Sequence, residues 1–196
     1  MKDILGLAKK LCVQLLTKSR CSKLPFHNVM HTMEVYENVL KIGMYEKLDM
    51  DELEPVLLAA LFHDVGNAIT FMGHEGHSAH EAFSFLTKQN YPNDKITMVC
   101  NSIYATQIPQ SPRNIYENIL CDADLFHLGS KQYFVKCELL RREWFNFLQL
   151  DCSDEDWNIT NIQFLSRHRF HTEYGKKILE PIKQENIGRL KKAIND

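Results

Sequence analysis

Three short segments of this chain concentrate residues that could do acid–base or metal chemistry. The first is PFHNVMHTMEVYENVLKIG, residues 25–43. His27 and His31 are spaced i, i+4, which puts both imidazoles on one face of a helix. The same stripe runs on through Val35, Val39 and Ile42, so both rings point towards a core. An unpaired imidazole is costly there, and backbone carbonyls would satisfy it as well as a site would. The second segment is LEPVLLAALFHDV, residues 53–65, a strongly apolar helix ending near His63-Asp64. Neighbouring helical side chains diverge by about 100°, yet near a helix end both can reach one ion. The third is ENILCDADLFHLG, residues 117–129, with two aspartates in an apolar run. Carboxylates are almost never fully buried unless paired or metal-bound. Asp124 shares a stripe with Leu120, Cys121 and Leu128, and Asp122 with Ile115, Ile119 and Phe126. Only one of the two is needed as a ligand.

These segments offer two imidazoles and two carboxylates from three helices. Such nitrogen and oxygen donors suit Mn, Fe, Co, Ni or Zn, whereas a pure Mg site would favour oxygen alone. One divalent metal ion is expected. A second would need His74, His77 and His80, which recur at i+3 spacing. A solvated helix face is the plainer reading of His77 and His80.

Helical periodicity must position these groups, and it runs almost end to end. Helices are expected at about 3–18, 26–45, 51–64, 76–89, 94–106, 113–128, 131–147, 158–167 and 170–195. Asp51 with Pro55, and Asn93 or Asp94, read as start signals. Residues 107–113 (QIPQSPR) read as a loop and 152–156 (CSDED) as a polar turn. No alternating strand pattern, repeat or linker divides the chain. The expectation is an all-α bundle of one domain over residues 1–196, with a helix over about 1–20 packed on a motif-bearing core over about 26–180.

Composition narrows the partners. The net charge is −2 and the pI about 6.5, which argues against nucleic acid, since its binders usually carry a basic excess. Lysines at 2, 9, 10 and 18 make the N-terminal helix amphipathic rather than a membrane span. The six cysteines form no C-x-x-C pair, and no secretory signal precedes them, so they read as reduced thiols of a cytoplasmic protein. A homodimer stands as one option, although no patch identifies an interface.

The order His31, then His63-Asp64, then an aspartate of the Asp122–Asp124 pair, resembles the H…HD…D signature of the HD superfamily of metal-dependent phosphohydrolases. AALFHDVG (59–66) resembles the central motif of the superfamily and FHNVMHT (26–32) its first motif. GHEGHSAHEAFSFL (73–86), IYAT (103–106), DADLFHLG (122–129) and FLSRHRFHTEYGKKIL (164–179) resemble small bacterial members. The likeness spans about residues 26–180. It implies an HD-type helical bundle with His31, His63, Asp64 and Asp124 as metal ligands, Asp122 being the other choice for the fourth. It also implies His27 as general acid towards the leaving oxygen, as in the cyclic-nucleotide phosphodiesterase branch. Asp64, or the second aspartate, would take a proton from the attacking water, and Glu75 would orient that water or touch substrate. The implied substrate is a nucleotide or another small phosphate ester. Lys23, Arg113, Lys131, Arg141, Arg142 and Arg167 are available to meet its charge. His168 and Thr172, spaced i, i+4 on one face, could touch the pocket, a structural hydrogen bond being the plainer reading. Two rival readings are a di-iron oxygenase of the same fold, drawing on the extra histidines, and a metal-binding sensor or scaffold module without turnover.

Overall fold

The computed structural model describes residues 3–195, which form α-helices and short helical turns without a strand among them. Two compact units divide at Asp124, the first over 1–124 and the second over 125–196.

Helix α3 (Met50–Phe62) is the hub of the first unit. Leu53 and all residues from Pro55 to Phe62 are buried. A helix apolar on every side must be surrounded, and α1 (Ile4–Thr17), α2 (Val29–Tyr45), α4 (His74–Lys88), α5 (Asn93–Ala105) and α6 (Ile115–Asp124) all pack on it. Gly43 of α2 lies against the Leu53 side chain, where a Cβ would collide, so α2 and α3 cross closely. Helix α1 buries Ile4, Ala8, Cys12 and Leu16. Its contact stripe therefore sets two small residues, Ala8 and Cys12, between Ile4 and Leu16, while Leu7 stays 41% exposed.

Several element boundaries differ from the sequence expectation, each for a local reason. Helix α2 starts at Val29 rather than 26, because Asn28 caps it: Oδ1 accepts from the N–H groups of Met30 at 2.8 Å and His31 at 3.4 Å. His27 therefore lies outside the helix, and the expected shared face with His31 does not form. Asp49, not Asp51, caps α3, in a reciprocal capping box with Glu52 at 2.9 Å each way. Helix α5 begins at Asn93 itself, after Pro92. Asn114 delays α6 to Ile115 by accepting from the N–H groups of Tyr116 and Glu117, both at 3.0 Å.

In the second unit, a 3-10 turn (Leu125–Gly129) precedes α7 (Tyr133–Leu148), α8 (Asp154–Arg167) and α9 (Glu180–Asn195). The polar stretch expected as a turn at 152–156 instead leads into α8 at Asp154, with Ser153 as its cap, Oγ accepting from the Asp156 N–H at 3.1 Å. The continuous helix expected over 170–195 instead opens through one π-turn, Gly175–Leu179. Helix α9 packs on α8 and on the 125–129 turn. All six cysteines are free thiols, and Cys12, Cys21, Cys121 and Cys137 are buried. Among the described residues no helix is long and apolar enough to cross a membrane.

Candidate metal centre

Three helices of the first unit deliver the candidate ligands. His31 sits in the first turn of α2, His63 caps the C-terminus of α3, and Asp124 is the last residue of α6. Side chains at helix ends can converge where those in mid-helix would meet neighbouring backbone. Asp64 follows at the head of the 3-10 turn Val65–Ala68, which takes the chain on towards α4. Gly66 permits the close approach this needs, since a Cβ there would collide with the His74 carbonyl oxygen. The Gly66 N–H also donates to Ser78 Oγ at 2.9 Å.

His31 Nε2 lies 3.2 Å from Asp124 Oδ1 and 3.4 Å from Asp64 Oδ2. His63 Nε2 lies 3.3 Å from Asp64 Oδ2 and 3.7 Å from Asp124 Oδ1. His31, His63 and Asp124 each present a donor atom within 4.8 Å of the other two, the spacing of a shared ion. Asp124 is thus the aspartate that meets both histidines. Asp122, two residues earlier, is fully buried and lies outside that group.

The chemistry of the donors fits a divalent metal. His63 Nδ1 is 2.8 Å from the Ala60 carbonyl. A carbonyl only accepts, so Nδ1 carries the proton and the neutral ring offers a lone pair at Nε2. This is the usual outer support of a metal-binding histidine. His63 Nε2 and Asp64 Oδ2 are both enclosed and without a hydrogen bond, a cost that native structures rarely leave unexplained. Without an ion, protons fill the role. Burial disfavours charge on His63, but Asp64 and Asp124 outweigh it and hold its pKa well above the ordinary value. Burial likewise pushes Asp64 and Asp124 up, yet the facing imidazoles keep both well below the usual carboxylate range.

The remaining candidates divide sharply. His74, in the first turn of α4, donates from Nδ1 to the Phe71 carbonyl at 2.9 Å and sets Nε2 3.1 Å from Asp64 Oδ1. Burial lowers its pKa, but the bond and charge of Asp64 carry it up to about 9. His77 and His80 point to solvent, as a polar helix face would have them. Although outside the helix, His27 stays close, its ring centroid 5.9 Å from that of His31 and 6.4 Å from that of His74. It also contributes to holding Asp64 ionised. Glu75 is buried, its Oε2 3.9 Å from His74 Nδ1. Of the candidate cations, Lys23, Arg113, Lys131 and Arg167 are exposed. Arg141 is tied to Asp154 and the Cys152 carbonyl at 2.6 Å each, and Arg142 to Glu138 at 2.9 Å. Sequence reasoning passed over Asn67, whose Nδ2 donates to Asp64 Oδ1 at 3.2 Å. Its place three residues beyond Asp64, in a turn, was the available signal.

Comparison with known proteins bears on the fold and the family. No curated protein matches the chain. A predicted HD superfamily hydrolase from an uncultured Thermotogales bacterium has a similar crystal structure. It shows a TM-score of 0.63 at 20% identity over 100% of this chain and 91% of that one. The Lin1889 protein from Listeria innocua gives 0.65 at 18% identity, over 99% and 97%. At these identities the likeness is one of fold. The profile of the HD domain matches residues 28–129, from the cap of α2 through the turn after α6. That span covers just over half of the chain and contains His31, His63, Asp64 and Asp124: the chain belongs to the HD domain family.

Proposed function

We propose that the protein is a metal-dependent phosphohydrolase acting on a nucleotide or another small phosphate ester or anhydride. The observation that carries this reading is the convergence of His31, His63, Asp64 and Asp124, with His63 Nε2 and Asp64 Oδ2 enclosed and without a hydrogen bond. Family membership and the hydrolase description of the Thermotogales protein support it. His31, His63 and Asp124, with Asp64, would hold one divalent ion. When bound, such an ion supplies Lewis acidity, drawing charge from a phosphoryl oxygen and lowering the pKa of a water.

The chain's own groups do the rest. Asn67 holds Asp64 by one oxygen and leaves the other facing His31 and His63. Asp64 is the acceptor for a proton from water. His27, beside both His31 and His74 but outside the ligand set, holds the proton that goes to the leaving oxygen. Glu75 orients the water or touches substrate from the first turn of α4. A small phosphate-bearing partner suits the net charge of −2 better than a polynucleotide does.

The His74 Nε2 contact to Asp64 Oδ1 favours a second reading with two ions, Asp64 serving both. A pair of irons there would open oxygenase chemistry, and a filled centre without turnover would make the protein a sensor.

Metal content and hydrolysis should be measured together on the wild type, Asp64→Ala and Asp64→Asn, using a panel of nucleotides and an aryl phosphate with Mn²⁺, Mg²⁺, Co²⁺ and Ni²⁺ in turn. The proposal expects about one or two ions per chain and hydrolysis in the wild type, with both lost in the variants. Bound iron with O₂-dependent turnover would move the assignment to the oxygenase. A filled centre that cleaves no ester would move it to the sensor, and a chain that takes up no metal would end it.

A further inference from the structure

The connector between α1 and α2 carries a half-buried cation, Arg20. Arg20 opens the short turn Arg20–Lys23 and reaches the segment that follows His63-Asp64. Its Nε donates to the Asn67 carbonyl at 2.6 Å, and its guanidinium lies over the Phe71 ring, Cζ 4.0 Å from the centroid. Its Nη2 is enclosed and makes no hydrogen bond. Among the described residues no carboxylate pairs with Arg20. Half-burying a guanidinium with an idle donor and no counter-charge is unfavourable. A plain surface role would not keep it there.

What the position provides is control over residues 64–74. Between the 3-10 turn Val65–Ala68 and the start of α4 this segment has no regular structure, and Ile69 and Met72 are 61% and 88% exposed. Arg20 grips it at two points, and each is bonded onward to the centre. Asn67 takes the guanidinium on its carbonyl and donates through Nδ2 to Asp64 Oδ1. Phe71 lies under the guanidinium and receives His74 Nδ1 on its carbonyl, while His74 Nε2 faces the same Asp64 oxygen.

We propose that Arg20 is a positioning residue of the metal centre: by fixing Asn67 and Phe71 it makes Asn67 and His74 hold Asp64 by one oxygen, leaving the other to face His31 and His63. This rests on the metal reading above. The planar guanidinium suits the task because it stacks and donates at once, whereas a lysine ammonium cannot stack in that way.

The test is chelator competition on the Mn²⁺-loaded full-length chain, with thermal melting followed alongside, for wild type, Arg20→Met, Arg20→Lys, Asn67→Ala and the Arg20→Met/Asn67→Ala double variant. Arg20→Met should weaken Mn²⁺ binding by about 10- to 100-fold, as loss of an outer support typically does. Arg20→Lys should recover part of that, since its ammonium can still meet the Asn67 carbonyl. In the Asn67→Ala background the effect of Arg20→Met should shrink, because the route to Asp64 is already cut. The proposal fails if Arg20→Met binds Mn²⁺ as the wild type does, or if Arg20→Lys loses as much as Arg20→Met in step with melting temperature. Should Arg20→Met not fold, Arg20→Lys and Arg20→Gln carry the test, and wild-type affinity in both overturns it. A wild type that binds no Mn²⁺ removes the metal centre itself and this role with it. Binding that is indifferent to Arg20 removes only the role.

Discussion

Both units of the chain bury polar side chains, and they use them in opposite ways. In the second unit Lys183 is wholly buried, yet its Nζ donates to the His168 carbonyl at 2.6 Å and lies 2.9 Å from Glu180 Oε2. Asn186 donates to the carbonyls of Leu128 and Ser130 at 3.0 and 3.1 Å. Thr172 Oγ1 accepts from the Gly175 N–H at 2.9 Å. Each bond ties one stretch of backbone to another. In the first unit His63 and Asp64 turn enclosed, unbonded atoms towards one another and towards His31 and Asp124. Buried polarity therefore does not mark a site by itself. Convergence of unsatisfied donor atoms does. His168 Nε2 is enclosed and idle too, but its ring stands beside the Lys183 ammonium, 3.4 Å from Nδ1. Burial and that charge push its pKa down to about 3, so it stays neutral.

Asp124→Asn would test this contrast most severely. It keeps the shape but removes the charge facing two imidazoles, and Mn²⁺ affinity should fall by at least about 100-fold, the upper end of what loss of an outer support alone produces. Wild-type affinity there would dissolve the distinction between the units. Lys183→Met is the counterpart. It leaves the His168 carbonyl without its donor and should destabilise the protein by about 1–3 kcal/mol, seen as a lower melting temperature. Metal content should not change, and its loss would show that the second unit is not merely structural.

The smallest effect is on pH dependence. In the metal-free protein the His74 pKa is raised from 6.5 to about 9, so its stabilising contribution is full below 6.5 and is lost as pH rises through about 9. Asp64 and Asp124 are depressed, so theirs is present above 3.8 and lost as pH falls through their lowered values. Melting of the metal-free chain should be highest between these limits and fall towards pH 9. Divalent metal should flatten that decline, because the ion takes the place of protons on the imidazoles and binds more tightly as they leave. A metal-free chain that gains stability from pH 6.5 to 9 would contradict the arrangement of His63 and His74.

Much of this was legible from particular residues. The unbroken apolar run before His63-Asp64 announces a surrounded helix whose polar end must face something buried. The stripe Val35, Val39, Ile42 correctly aims His31 inward, and all three are buried. The same reasoning misplaced His27, because periodicity does not see that Asn28 would rather cap than continue a helix. It could not choose between Asp122 and Asp124, since both lie on apolar stripes and both are largely withdrawn from solvent. The motif resemblance favoured Asp124, and the end of α6 leaves Asp124 beside His31.

The sequence alone determined the all-helical class, the strongly apolar helix that ends near His63-Asp64 and the set from which ligands could be drawn. These follow from the period of apolar residues and from the rarity of carboxylates and imidazoles in such runs. Tertiary structure decided which aspartate meets the histidines, that His74 and not His77 or His80 joins them, and that Arg20 and Asn67 stand behind Asp64. Those are contacts between residues up to 93 positions apart, as between His31 and Asp124. No local pattern encodes them, because they depend on how helix ends meet once α3 has been surrounded.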